Sequence, residues 1–349
     1  MKKTLLLVAA AVALVACSKE ETLVQQAPEA IGFDNAFVEN STRSVNDPSF
    51  DADNMFSDFA VYGFVEGATL FDGTKVSKTI TNGDLKSAWK YAATQYWIAG
   101  ANYKFHAVAP IPAIADADNA TYTVADGVSF NYTNVDGTED LLYAYQTATG
   151  LTTNNQKVAF TFDHILSKVK FSFVNGYDAS NATLKVTNVK ITNAHKTANV
   201  ALNNTTVTWT GNNGETDNDL DFGAATDRED TTAAANYAFG SIYESDNERF
   251  VLPSTAEYEY AVTFTVELWI NDVQVDVDST TTGVQGYNHT ATAKFAPVAG
   301  NAYDIKTTIT ASNIDPDNAQ EAIEFTVTRI DDWDTDYNDD AEGDNNIDM

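Results

Sequence analysis

One cysteine is the first residue in this chain whose type and position suggest chemistry. Cys17 is the only cysteine, and it directly follows Leu14-Val15-Ala16. Because it comes after Met1-Lys2-Lys3 and a short apolar run that is too short to span a bilayer as a mature helix, its thiol is a typical acceptor for lipoprotein processing. We predict a signal peptide over residues 1–16, a lipid (palmitate) anchor on Cys17, and a mature chain that folds without a disulfide.

The residue types that usually carry catalysis are few or badly spaced. None of the four histidines pairs with another at the spacing of a metal site; they are His106, His164, His195 and His289. Gly-x-Ser-x-Gly and phosphate-binding glycine loops do not occur in the sequence. The sequence predicts no enzymatic activity, no cofactor and no metal, and it predicts that His106 and His164 are packed or hydrogen-bonded at the edges of a core.

The charge balance restricts the possible partners. The formal net charge is −30, from 20 basic and 50 acidic residues. A field of this sign repels nucleic acid and anionic head groups, so we expect neither as a partner. The hydrophobic content of 44% is ample for packed cores, and 349 residues fit two domains.

Alternation of apolar and polar residues begins at residue 31. The pattern over residues 31–38 predicts a strand with Ile31, Phe33 and Phe37 on one buried face. A polar, turn-rich segment follows over residues 39–48 and should be exposed. This segment contains Arg43, one of only four arginines in the chain and therefore a distinct target for an arginine-specific protease.

Strand patterns continue along the rest of the chain. They cover residues 59–65, 103–109, 127–132, 141–145, 157–162, 166–174, 184–192, 198–202, 206–210, 248–252, 258–270, 289–295, 302–310 and 323–330. Short helices are predicted near residues 83–91 and 230–237, and the acidic stretch 215–230 is interpreted as a solvated loop. This spacing of short strands predicts an all-β fold with two antiparallel β-sandwiches in tandem.

The predicted domain organisation has five parts. They are the signal peptide (1–16), a lipidated tether with the first strand (17–43), an N-terminal sandwich (44–164), a C-terminal sandwich (165–333) and an acidic tail (334–349). The division at 164/165 follows from His164-Ile165-Leu166, which interrupts two good strand patterns.

Several segments, in their order along the chain, resemble the fimbrillin family, the subunits of the protease-assembled (type V) pili of Bacteroidia. The matching segments are Cys17 with its preceding residues, Thr42-Arg43, residues 140–144, 160–169, 250–253, 295–297 with 300–303, and 323–327 with Asp332-Trp333. The resemblance implies transthyretin-like sandwiches and a structural role in a cell-surface fimbria that supports adhesion.

The resemblance also implies how the subunit assembles. A trypsin-like protease would cut the Arg43–Ser44 bond, and the first strand, with Ile31, Phe33 and Phe37, would leave. A C-terminal strand of another subunit would then replace it. The anchors of that donor strand would be three residues on one face, Ile323, Phe325 and Val327.

The partners implied by this resemblance are other pilin subunits, the arginine-specific protease and the outer membrane through the lipid anchor. A receptor on host or bacterial cells is left open.

Two other functions and one plainer structural interpretation stay open from the sequence. A tip or accessory adhesin of the same pilus would accept a strand but donate none. A glycan-binding outer-membrane lipoprotein would keep its first strand and bind polysaccharide on an exposed aromatic platform formed by Trp89, Tyr91, Tyr96 and Trp97. Residues 323–330 could also be simply the last strand of their own domain.

Overall fold

The computed structural model describes most of the chain between residues 29 and 330. The described ranges are residues 29–38, 58–78, 89–111, 121–123, 127–151, 156–179, 182–213, 219–227, 240–271, 273–274, 286–314 and 322–330. Within them no helix is both long enough and apolar enough to cross a bilayer.

Strands form nearly all of the regular structure in these ranges. In chain order the first strands are β1 (Gly32–Val38), β2 (Asp58–Val65), β3 (Ala68–Lys78), β4 (Trp89–Tyr91), β5 (Asn102–Ala109), β6 (Thr121–Thr123), β7 (Gly127–Thr133), β8 (Leu142–Thr149), β9 (Lys157–His164) and β10 (Ser167–Asn175). The next are β11 (Ala182–Ile191), β12 (Thr197–Asn203), β13 (Thr206–Asn213), β14 (Leu220–Asp227), β15 (Ile242–Ser245), β16 (Arg249–Val251), β17 (Tyr258–Ile270), β18 (Val273–Gln274), β19 (Tyr287–Phe295) and β20 (Ala302–Ile309). The helical turn α1 (Ala311–Ile314) and the strand β21 (Thr326–Ile330) complete the series.

The N-terminal half is built on a sheet of seven strands in the order β1-β9-β8-β5-β2-β3-β4. One face of this sheet carries an apolar core to which all seven strands contribute, from Phe33 on β1 to Trp89 on β4. The other face is covered by a second sheet, β13-β12-β7-β6, whose Phe130 and Val200 pack with Tyr62 and Val108. Strand β2 is therefore buried on both faces over almost its whole length.

The C-terminal half is one sheet of ten strands. Eight of them follow the order β18-β17-β11-β14-β15-β10-β20-β21, and β19 and β16 pair beside β17 and β10. A separate core fills this half, with fully buried phenylalanines such as Phe171, Phe173 and Phe222. Strand β21 pairs antiparallel with β20 and lies at the end of the sheet order.

The all-β class predicted from the sequence is confirmed, and two local predictions are wrong. Trp89–Tyr91, inside the first predicted helix, is strand β4. Residues 220–227, inside the predicted acidic loop, are strand β14, whose Leu220 and Phe222 are fully buried. Gly223, at φ +81°, interrupts the alternation there, which is why the pattern was not visible. The second predicted helix, over residues 230–237, lies outside the described residues.

The segment that links the two halves is short, and the chain passes from one half to the other more than once. Strand β9 ends at His164 in the seven-stranded sheet, and β10 begins at Ser167 in the ten-stranded sheet. Farther along, the hairpin β12–β13 returns and pairs with β7 of the N-terminal half. The domain boundary at 164/165 stays a prediction. Residues 197–213 come after this boundary in the sequence, but they pack with the N-terminal half.

Candidate functional site

The first strand occupies the groove where the predicted exchange would occur. Strand β1 pairs with β9 in parallel. On its other side, the N–H of Ile31 donates to the carbonyl of Gln95 at 2.8 Å, and the N–H of Trp97 donates to the carbonyl of Glu29 at 2.9 Å. The Tyr91 hydroxyl donates to the carbonyl of Ile31 at 2.7 Å. The chain around Ile31 is thus bonded on both sides.

Two side chains of this region fill the core beneath the groove. Ile31 and Phe33 are 1% and 2% exposed. The ring of Phe33 stacks on Phe160 with centroids 5.8 Å apart. Four further rings meet Phe33 edge-on at 5.5–6.2 Å; they are Phe59, Phe71, Tyr91 and Phe105. Such edge-on and offset pairs add to the stabilisation from apolar burial. We call this set of five rings the Phe33 pocket.

The register of β1 against β9 changes within the strand. Phe33 lies level with Val158, and Asp34 with Ala159. Farther on, Phe37 lies level with Thr161, so β1 has one residue more than β9 over this stretch. A bulge of this kind shifts the period-two alternation by one residue. The sequence pattern that grouped Phe37 with Ile31 and Phe33 contains no signal for it.

An ion pair lies on the outer side of the groove. Lys157 Nζ is 3.0 Å from a carboxylate oxygen of Asp34, and both side chains are nearly half exposed. Pairs this exposed contribute little to stability.

The predicted donor residues lie in the C-terminal half. Ile323 is 7% exposed, and Phe325 and Val327 pack against the same core. The Phe325 ring contacts those of Phe171, Phe173 and Phe264 at 5.6, 6.2 and 5.9 Å. In the single chain only β21 forms the edge of its own sheet. The strand predicted over residues 323–330 therefore begins at Thr326, and Ile323 and Phe325 precede it.

Several predicted site residues lie outside the described residues. They are Cys17, Arg43 and Ser44, together with the signal peptide and the acidic tail. Their roles in lipidation and cleavage stay predictions.

The histidines are packed within the fold. His106 is buried, with Nδ1 2.8 Å from the Tyr143 hydroxyl, and burial lowers its pKa from the ordinary 6.5 to about 4. His164 forms a hydrogen-bonded pair with Asp140. The prediction that His106 and His164 lie packed at core edges is confirmed. Among the described residues, no group of three His, Cys, Asp or Glu is arranged to hold a metal ion.

The aromatic platform of the glycan-binding alternative is not formed. Trp89 and Trp97 are only 7% and 5% exposed, and the indole N–H of Trp97 donates to the carbonyl of Gln156 at 3.2 Å. Tyr91 faces Phe33 and Ile31, and of the four residues only Tyr96 is largely exposed. Sequence reasoning missed that Tyr91 and Gln95 form one side of the groove.

The folded chain is an all-β protein of the sandwich type with separate N-terminal and C-terminal cores. A model of the fimbrillin-like family matches residues 42–333. The chain therefore belongs to the fimbrillin-like family, and its role is that of a fimbrial or adhesion protein at the cell surface that assembles with other pilus subunits.

The chain is also similar to several solved bacterial structures. A candidate cell adhesion protein from Bacteroides uniformis is 18% identical, with a TM-score of 0.44, over 88% of this chain and 99% of that one. A candidate cell adhesion protein from Bacteroides ovatus is 14% identical, with a TM-score of 0.43, over 87% and 95%. The fimbrial anchor protein Mfa2 from Porphyromonas gingivalis is 12% identical, with a TM-score of 0.34, over 88% and 98%. No curated protein matches the sequence.

Proposed function

We propose that this chain is the precursor of a structural fimbrial subunit that assembles by donor-strand exchange. The precursor reaches the outer membrane as a lipoprotein acylated at Cys17. An arginine-specific protease cuts the Arg43–Ser44 bond, and β1 leaves its groove. The segment that carries Ile323, Phe325 and Val327 of another subunit enters the groove, and repetition of this step builds the fimbria.

The observation that carries this proposal is the position of β1. Phe33 of β1 and Ile31 directly before it are buried in the core, yet β1 is joined to β2 only through residues 39–57, which contain Arg43. A cut in that segment leaves β1 held by non-covalent contacts alone. After the cut β1 can leave, but the groove that it vacates is unfavourable unless another strand fills it.

The energetics favour replacement of β1 over an empty groove. Burying Ile31 and Phe33 contributes roughly 1.5–3 kcal/mol each. Each backbone hydrogen bond between β1 and β9 adds about 0.5–1.5 kcal/mol. A groove without a strand also exposes unpaired N–H and C=O groups at a sheet edge, which an added strand satisfies.

When the donor segment moves to a neighbouring subunit, the contacts that it loses in its own C-terminal half are similar to those that it gains in the groove. Phe325 already packs against three phenylalanine rings in its own half. Moving to a neighbour exchanges one aromatic environment for another, so the filling of the empty groove supplies the net driving force.

Limited trypsin digestion of the folded lipoprotein tests the proposal. We expect a new N-terminus at Ser44 by N-terminal sequencing, followed by ladders that survive mild SDS. Arg43→Ala should stay monomeric and membrane-bound. Arg228→Ala, which removes the same charge from another arginine, should behave like the unaltered protein. Polymer formed by Arg43→Ala at the unaltered rate would refute the proposal.

The tip or accessory adhesin is the remaining alternative within the same pilus. Such a subunit would accept a strand after cleavage but would not need Phe325 for its own incorporation. Cleaved subunits with Phe325→Ala that still form long homopolymers would contradict the donor role.

A further inference from the structure

We propose that, in the exchanged joint, Ile323 and Phe325 occupy the places of Ile31 and Phe33, with the incoming strand parallel to β9. This inference rests on the proposed function and specifies the register and direction of the exchange. Phe325 then fills the Phe33 pocket.

The sequence contains the same triplet at both sites. Ile31-Gly32-Phe33 and Ile323-Glu324-Phe325 are the only two Ile-x-Phe triplets in the chain. Since alternate residues of a strand point to one face, each triplet presents an isoleucine and a phenylalanine together. The incoming side chains are therefore identical in shape to those that leave, which close-packed cores tolerate best.

The Phe33 pocket is selective for an aromatic side chain. Phe33 is 2% exposed and touches five aromatic rings, so a smaller residue would leave a cavity. Phe325 has the same ring and packs against Phe171, Phe173 and Phe264 in the single chain. Of the three predicted donor anchors, Phe325 is the only aromatic one.

Charge complementarity supports the same register on the outer side. Gly32 lies level with Lys157, and a Cβ added at Gly32 would meet Lys157 Cγ at 3.2 Å. The Lys157 side chain is partly exposed and flexible, so it can move aside by the few tenths of an ångström required. In the proposed register Glu324 lies at this position, and it replaces Asp34 as the partner of Lys157.

The hydrogen bonds on both sides of Ile31 use only its backbone N–H and C=O, so they do not require an isoleucine side chain. The carbonyl of Gln95 accepts from the N–H of Ile31, and the Tyr91 hydroxyl donates to its carbonyl. Ile323 provides the same two groups. The joint can therefore be bonded on both sides, as β1 is.

The fit between the incoming segment and the groove along β9 ends near Val327. Without the bulge of β1, Val327 lies level with Phe160, and Arg329 lies level with the fully buried Phe162. A guanidinium is unfavourable at an apolar position, so the inserted part should end between Val327 and Arg329.

Disulfide trapping in cleaved, assembled subunits tests the register. Adjacent strands lie about 4.8 Å apart, within the Cα separation that a disulfide spans. The proposed register predicts cross-links between subunits in Glu324→Cys/Lys157→Cys and in Thr326→Cys/Ala159→Cys. The mismatched controls Thr326→Cys/Lys157→Cys and Glu324→Cys/Ala159→Cys should give ladders that collapse to monomer on boiling without reductant.

A charge swap gives an independent measurement that needs no cysteine. Lys157→Glu should slow polymerisation of cleaved subunits, and adding Glu324→Lys should restore the rate. Thr328→Lys, which lies away from Lys157 in this register, should not restore it.

The outcomes separate the register from the exchange itself. Cross-linking of the mismatched pairs means an antiparallel strand and overturns the proposed direction. Ladders that form without any of the four cross-links, together with a charge swap that fails to restore the rate, overturn the register and leave strand exchange intact. Cleaved unaltered subunits that form no ladder refute the proposed function.

Discussion

Phe33 on the first strand stacks on Phe160 of β9, with ring centroids 5.8 Å apart and ring planes 18° from parallel. This contact joins the strand that is proposed to leave to a strand that stays. Phe33 and Phe160 can be replaced separately. We expect the two replacements to differ in how they affect the stability of the precursor and of the polymer.

Replacing Phe33 should affect only the uncleaved protein. Phe33→Ala leaves a cavity among five rings, so we expect the full-length chain to lose about 3–5 kcal/mol in the free energy of unfolding. After cleavage and exchange, the polymer should be as stable as that of the unaltered protein, because Phe33 has left with β1. Urea unfolding of the precursor and SDS resistance of the ladders measure the two effects.

Replacing Phe160 should affect both states. Phe160→Ala removes the stacked partner of Phe33 and one wall of the pocket that is proposed to receive a donor, so precursor and polymer should both be destabilised. Ladders of Phe160→Ala with unaltered SDS resistance would contradict the role of this pocket in the polymer. The comparison with Phe33→Ala serves as the matched control.

Replacing Phe325 should stop growth of the polymer. Phe325→Ala removes the proposed anchor, and we expect cleaved subunits to stay short in homopolymer assays while still accepting donor strands from unaltered subunits. Thr328→Ala, a change at an exposed position three residues farther along, should polymerise normally. Circular dichroism and thermal unfolding verify that the C-terminal half stays folded, because Phe325 also packs there.

Gly63 should be intolerant of a side chain because of the Phe33 pocket. A Cβ at Gly63 would lie 2.6 Å from a ring carbon of Phe71 and 3.2 Å from one of Phe105, and both rings contact Phe33. We expect Gly63→Ala to destabilise the precursor by about 1–3 kcal/mol in urea unfolding. Gly32→Ala meets only the flexible Lys157 side chain, so it should have a much smaller effect.

Burial of His106 should make the folded protein less stable as the solution is acidified. Its pKa is lowered to about 4, so between pH 6.5 and pH 4 the unfolded chain binds a proton that the folded chain does not. Stability contributed by this group is therefore full above pH 6.5, falls as pH decreases towards 4, and is constant below. Urea unfolding at pH 7 and pH 5 should show a smaller decrease for His106→Gln than for the unaltered chain. An equal decrease in the free energy of unfolding for both proteins would contradict a contribution from His106.

Local alternation determined a large part of the fold. The predicted bounds of the strand at residues 258–270 coincide with those of β17, because its side chains alternate between core and surface over their whole length. Within the strand predicted at residues 157–162, Val158, Phe160 and Phe162 likewise lie on one buried face of β9. Burial at every second residue is a property of a single strand, so a single sequence displays it.

Pairing between distant strands was decided only by the tertiary structure. Nothing near Ile31 indicates that β1 pairs in parallel with β9, that a bulge follows Asp34, or that Tyr91 and Gln95 form the other side of the groove. Likewise the hairpin β12–β13 crosses to the N-terminal half, and Gly223 hides strand β14 from a period-two search. These features depend on contacts between residues far apart in the chain, which alternation within one segment does not encode.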